Sequence, residues 1–451
     1  MTRPAFDARS WIVVGALIAL GALQRIWNAL HYPALMGFDA TGNWQYVELL
    51  LGNFALPAPD AGWSTAHPPL YYALAAGLGS LQDHPSVASV ARSAALASSA
   101  VGLLAVAATA HLVHGLSGGN RRRTALAAAL LVFLPVHITM SAMLSEELLT
   151  SALVSFTLVG LVGELQRPAA ERHSHLVPIL LGAVAGLALL TKLSAAVLVV
   201  AASLTLLAEL PRRGYARALG AAVAFGGAAT LVGGWFYLRS LWLYGYLYPH
   251  GLSPHSEMFE MPPGVRGLGD YLTFPLATFS AAEIIDAPLL RSVWAGTYAS
   301  LWFDPHRHFL PKQAPGLEWV ARVILVTALL PTAAFLAGLW RGAGRAIRER
   351  SASDRLLIGV VVGMLAGYVL FTARNPWFVT VKGSFLLGLA TPFAVYASET
   401  LERWLGAGRV RGGIVAATLL VLFTASAATF VFDGAFPKKE MPGVDWRGVS
   451  P

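Results

Sequence analysis

The sequence predicts an all-α protein, a polytopic membrane helical bundle of about eleven spans with amphipathic interfacial helices in its first outer loop. Three observations carry this. Of 451 residues, 56% are hydrophobic and only 12% charged, against about 45–50% and about 25% in soluble chains. Apolar runs near the roughly 20 residues a spanning helix needs recur along the whole chain. Arginines crowd every second short loop. Half the usual charge cannot coat a soluble protein of this size, so a cytosolic enzyme, a disordered chain and a fibrous one are excluded. The absence of cysteine excludes disulfides, thiolate metal sites and cysteine nucleophiles.

The first run, Trp11–Leu30, reads as a retained span and not a signal peptide, because no small-residue cleavage site follows and similar runs recur. In the loop after it, Asp39 to Leu51 suits an amphipathic helix along the membrane, with Asp39 as its N-cap. His67-Pro68-Pro69-Leu70-Tyr71-Tyr72 then leads into a second interfacial helix over Ala73–Leu81, its entry fixed by the prolines. Further spans are expected at Val87–Leu116, Thr124–Ser141, Glu147–Val162, Leu176–Leu190, Ser194–Leu207 and Ala218–Leu241. After a polar interval come Leu317–Trp340, Leu356–Thr372, Gly383–Tyr396 and Gly412–Val431. Leu176–Leu207 reads either as one kinked pair or as two short spans, broken at Thr191-Lys192-Leu193-Ser194.

The basic residues orient the chain. Arg3 and Arg9, Arg121–Arg123, Arg167 and Arg172, Arg212, Arg213 and Arg217, Arg341–Arg355, and Arg403–Arg411 fall in alternate loops. The positive-inside rule then places the N-terminus in the cytoplasm of a multi-pass plasma (inner) membrane protein. The expected organisation is one transmembrane domain over 1–432, including outer loops 31–86 and 244–316, and a short extracytoplasmic tail over 433–451. The net charge of +8 thus marks topology. A nucleic-acid partner would need those arginines gathered on one folded face.

Against this apolar background the outer-face polar residues stand out. Asp39 opens the first outer loop, and Ser145-Glu146-Glu147 fills a turn of a few residues at a span end. Carboxylates there need water, a cation or a polar partner. The short turn favours a cavity-facing position for at least one glutamate and leaves open which. Lys192, Arg239, Arg374 and Lys382 sit at outer ends, as do Arg92 and Arg25. One such cation is an ordinary headgroup anchor. Several beside carboxylates describe a site for an anion, for which Arg and Lys are the natural phosphate partners. A carboxylate can take a proton from an acceptor hydroxyl or amine, and cations can stabilise a departing phosphate.

At these residues the chain resembles the GT-C superfamily of integral-membrane glycosyltransferases, in particular bacterial relatives of protein O-mannosyltransferases and the aminoarabinose transferase of lipid A. The likeness lies in Phe38-Asp39-Ala40, His67-Pro68-Pro69-Leu70-Tyr71-Tyr72, Ser145-Glu146, Leu190-Thr191-Lys192-Leu193-Ser194, Gly233-Gly234-Trp235-Phe236-Tyr237-Leu238-Arg239, Ser300-Leu301-Trp302-Phe303-Asp304 and Lys382-Gly383-Ser384-Phe385-Leu386-Leu387. The resemblance implies a polyprenyl-phosphate-linked sugar as donor and inverting transfer to a glycan, lipid or protein acceptor on the extracytoplasmic face. It makes Asp39 the catalytic base and Glu146 its assistant, with Glu147 as the alternative. It assigns Lys192, Arg239 and Lys382 to the donor phosphate and His67 to the site; Arg374 joins the phosphate cations by its place at an outer end, and Tyr71 is a further site candidate. Some members of the family bind a divalent metal. Here Ala40 stands where some relatives place a second acid, and His67, His250 and His255 are too scattered to form a ligand cluster.

Two other functions fit parts of the sequence. A transporter or flippase of a lipid-linked or anionic solute explains the spans and outer cations, but it needs ionisable groups at mid-membrane, whereas here they sit at span ends. A polysaccharide polymerase or ligase would draw on the 244–316 loop, with Arg266, Arg291 or His308 in play, and leaves the acidic first loop unexplained.

Overall fold

The apolar runs become helices in the computed structural model, which describes residues 8–167, 175–248, 266–280, 291–375 and 377–438. No strand forms among the described residues. Arg3, Arg172, His250, His255 and the tail beyond Lys438 lie outside them, as do 249–265 and 281–290 of the second outer loop. The helices are α1 (Ala8–His31), α2 (Ala40–Asn53), α3 (Leu70–Ser80), α4 (Val87–Leu116), α5 (Arg121–Val132), α6 (Pro135–Ala142), α7 (Glu147–Gln166), α8 (Leu176–Leu189) and α9 (Ala196–Leu207). They continue with α10 (Tyr215–Tyr244, through a π-helical turn at Thr230–Gly234), α11 (Val293–Trp302), α12 (Leu317–Arg348), α13 (Ala352–Arg374), α14 (Ala390–Leu405) and α15 (Arg409–Thr429).

Among the described residues, eight helices are long and apolar enough to cross a membrane, or nine if a bent pair counts as one span. The expected eleven include two segments that do not reach this length. Leu176–Leu189 stops at the break before Lys192, and Gly383–Tyr396 begins as a 3-10 turn over Gly383–Leu389 before α14 takes over. The bent pair is α5 and α6, which meet at 48°. Pro135 opens α6; it has no N–H to give and restricts Leu134 to extended backbone, so one helix cannot run through.

That break explains Arg25. It was expected as an outer-end anchor, yet it is fully buried. Its guanidinium donates to the carbonyls of Gly21 (3.1 Å) and Val132 (2.9 Å) and lies 2.9 Å from Nδ1 of His137. It thus satisfies a carbonyl that the bend leaves without a helical partner.

Side-chain caps set several starts. Ser86 accepts from Ser89 N, Asn120 from Arg123 N, and Ser351 from Asp354 N. Small residues let helices approach closely. A Cβ on Gly182 would fall 2.2 Å from the Phe225 carbonyl oxygen, and one on Gly338 2.2 Å from that of Tyr396. α1 closes on the segment after α15 through Asn28, which donates to the Phe430 carbonyl and accepts from Phe432 N, both at 2.9 Å.

Helices form over both expected segments of the first loop, the second starting at Leu70, three residues before the expected Ala73. α2 buries Asn43, Tyr46, Val47 and Leu50, and Tyr46 stacks on Tyr72 of α3 with ring centres 4.3 Å apart. Leu70 N, at the start of α3, donates to Leu190 O at 2.9 Å. This bond ties the His67-Pro68-Pro69 turn to the break that carries Lys192.

Candidate active site

Asp39 sits at the N-cap position of α2, but its side chain does not cap. Its backbone is left-handed, with φ of 55°, a region Asp tolerates better than most residues. One carboxylate oxygen accepts from Lys382 Nζ at 3.1 Å, the other from Trp63 Nε1 at 3.1 Å. Asp39 keeps 36% of its side chain exposed, whereas Lys382 keeps 8%. Burial works against the charge on Asp39, but the Lys382 ammonium and the Trp63 N–H outweigh it and hold the carboxyl well below the ordinary carboxylate range.

A second cluster lies at the N-terminus of α7. Glu146 and Glu147 are both buried, and both meet Lys192, Glu146 at 3.3 Å and Glu147 more closely still. Neither reaches out to the interface, so both turn inward. Desolvation disfavours ionised Glu146, yet Lys192 and then His67 bring its carboxyl below the ordinary value. For Lys192 burial opposes the charge, and the two glutamates raise its pKa. The partly positive helix N-terminus adds to the stabilisation of both carboxylates.

Phe385 joins the clusters. Its ring centre lies 4.5 Å from Lys192 Nζ and 5.5 Å from Lys382 Nζ, and Lys382 also lies 4.5 Å from the Phe38 ring. Ser384 Oγ donates to Glu147 at 3.5 Å. The Lys382–Leu387 segment therefore supplies the floor between the two acid–base pairs.

The structure selects Tyr72 over Tyr71 as the polar contact. The Tyr72 hydroxyl lies 3.3 Å from Glu146, 3.1 Å from Asn43 Oδ1 and 2.9 Å from His67 Nδ1. Tyr71 is buried edge-on against the Tyr72 ring at 5.6 Å. Burial lowers the pKa of His67, which Glu146 only partly offsets. Trp63, Asn43, Ser384 and Phe385 were not singled out from sequence. Ser384 and Phe385 lie in a quoted motif, whereas Trp63 and Asn43 carry no signal beyond their loop and helix.

The remaining predicted cations divide. Arg239 is half-buried on α10, within electrostatic reach of Tyr46, and makes no hydrogen bond or ion pair among the described residues. Arg374 ends α13 exposed, and Arg92 is exposed on α4. Arg266 and Arg291 hold the segment between α10 and α11 instead. Arg266 donates to Trp377 O at 2.9 Å, and Arg291 grips Asp270 through two nitrogens. His308 packs on Phe38 at 4.4 Å, next to the Asp39 cluster.

Some proteins of the resembled superfamily hold a divalent ion. Among the described residues no three His, Asp or Glu side chains converge on one point. Asp39, Glu146 and Glu147 are each matched to a lysine, so the residues present do not fit an ion.

Comparison with known proteins agrees with this architecture. Residues 66–233 match the family model of dolichyl-phosphate-mannose-protein mannosyltransferases. No protein of curated function matches the sequence. The archaeal oligosaccharyltransferase AglB of Archaeoglobus fulgidus, solved with an inhibitory peptide and a dolichol-phosphate, superposes with a TM-score of 0.59 at 14% identity, over 96% of this chain and 57% of that one. The same enzyme tethered to an acceptor peptide gives 0.58 at 14% identity, over 96% and 56%. The arabinofuranosyltransferase AftD from Mycobacteria gives 0.52 at 16% identity, over 95% and 27%. The chain thus spans a little over half the length of the oligosaccharyltransferase chains. Its fold is that of the GT-C integral-membrane glycosyltransferases.

Proposed function

We propose that the protein transfers a sugar from a polyprenyl-phosphate donor to an acceptor on the extracytoplasmic face, with inversion, and that Asp39 is the general base. The observation that carries this is the Asp39–Lys382 pair. It joins a one-third exposed carboxylate to a buried ammonium in a bundle of GT-C fold. A protein of the same fold holds a dolichol-phosphate, a lipid phosphate of the kind proposed here as donor carrier.

In the resting site Lys382 makes Asp39 a weak base. A lipid phosphate arriving beside Lys382 shares its charge, and Asp39 becomes more basic as the donor binds. Asp39 then takes the acceptor proton while the acceptor oxygen or nitrogen bonds to the sugar C1. The C1–O bond to phosphate breaks, and the electron pair leaves with the polyprenyl phosphate. Arg239, half-buried without an ion pair among the described residues, offers the departing phosphate a cation no protein carboxylate has claimed. The glutamate pair fixes Lys192 and, through Tyr72, the turn that carries His67.

The test is a reconstituted protein supplied with labelled polyprenyl-phosphate sugars and candidate acceptors. Acceptor-dependent release of polyprenyl phosphate is expected, reduced about 100-fold or more in Asp39→Asn. Wild-type turnover in that variant at normal expression removes Asp39 as the base. Movement of labelled lipid into vesicles lacking acceptor makes the protein a flippase.

A further inference from the structure

A charged cluster beside a cavity lies at the other end of the bundle. Asp354 stands in the first turn of α13, whereas the segment bearing Lys382 follows its last. Twenty-three residues of helix separate those ends by about 34 Å. There, Glu399 of α14 is 6% exposed and faces four guanidiniums: Arg403 at 2.8 Å, Arg345 at 3.2 Å, and Arg123 and Arg341 at 3.5 Å. Arg345 also grips Asp354 through two nitrogens, at 2.9 and 3.0 Å. Glu402, which accepts from Asn120 at 3.3 Å, adds a third carboxylate nearby. Four arginines against three acids leave an excess of positive charge.

Of these, Arg123, Arg345, Arg403, Asp354 and Glu399 border a cavity of about 260 Å³. A water takes up about 30 Å³ of liquid, so the space holds several waters or one tetrahedral anion. The three arginines and the two carboxylates share its wall with Leu116, Leu357 and Val395. Arg123 Nε is buried without a hydrogen-bond partner among the described residues. A structural ion-pair network would leave neither a cavity of this size nor an unmatched guanidinium N–H beside it.

We propose that this pocket binds a phosphate-bearing anion. The anion completes the charge balance, and the forked guanidiniums of Arg123 and Arg403 meet its oxygens. Basic pockets between membrane helices hold anionic headgroups in this way, and the apolar wall suits the glycerol end of a phospholipid. Soluble phosphate has the same chemistry and is the other source.

The full-length protein in detergent, stripped of lipid, is titrated with phosphatidylglycerol, phosphatidylcholine and inorganic phosphate. Bound mass is read by native mass spectrometry and thermal stability by unfolding. Arg123→Gln removes one cation. Ser353→Trp fills the cavity while every charge stays in place, so the test does not depend on the arginine variant folding. Lys312→Gln removes an exposed cation elsewhere. Retention of phosphatidylglycerol at least about tenfold above phosphatidylcholine, lost in the first two variants and kept in the third, establishes a lipid-headgroup site. Stabilisation by inorganic phosphate alone, present in wild type and absent in Ser353→Trp, establishes the site with a soluble ligand. If no probe separates wild type from Ser353→Trp, the proposal falls and the arginines only tie helices together.

Discussion

Asp39 and Lys382 lie 343 positions apart in the chain and meet at 3.1 Å. The contact unites the loop between α1 and α2 with the segment before α14. It sets the charge state of the most exposed carboxylate in the site, and the first prediction rests on it.

Lys382→Met removes the main influence that keeps Asp39 ionised, while the opposing effect of burial stays. The Asp39 pKa rises, so the acid limb of the pH–activity profile moves to higher pH. The stabilisation from the pair follows the same sign. In wild type it is present above the unfolded aspartate pKa of about 3.9 and is lost as pH falls toward the depressed folded value. In Lys382→Met it is absent throughout. Identical acid limbs in the two proteins would show that Lys382 does not control Asp39.

Lys192→Met leaves two buried glutamates facing each other without a cation. Removing one member of a buried ion cluster costs about 3 kcal/mol or more. Thermal unfolding in detergent should show that loss, and adding Glu147→Gln should recover a large part of it. If the double variant is as unstable as the sum of the singles, the residues are not coupled.

Arg239 and Arg374 should separate in kinetics. Arg239→Gln removes a half-buried cation without an ion pair among the described residues and should raise the KM for the lipid-phosphate donor about tenfold or more. Arg374→Gln removes an exposed one and should change it little. The reverse order would move the phosphate site toward the end of α13.

Gly338→Ala tests the close approach of α12 and α14. The new Cβ would meet the Tyr396 carbonyl, which cannot swing aside, and about 1–3 kcal/mol of stability should be lost. Gly344→Ala on the same helix meets nothing within 4 Å and gains helix propensity, so its melting temperature should hold or rise. Equal melting temperatures for the two variants would place α12 differently against α14.

The sequence by itself determined the class of protein, the position of nearly every helix and a small set of polar residues at helix ends. Hydropathy and loop charge are local properties, so they can be read one segment at a time. The tertiary structure decided what those residues do. It shortened the segments around Lys192 and Gly383, turned Asp39 from a cap into an ion pair, and buried Arg25 against the carbonyl freed at the Pro135 bend. It chose Tyr72 over Tyr71 and set Phe385 between two lysines. Helical periodicity tells which residues share a face over a few turns. Which faces meet across hundreds of residues depends on packing, on where small residues let backbones approach, and on which buried charges find partners.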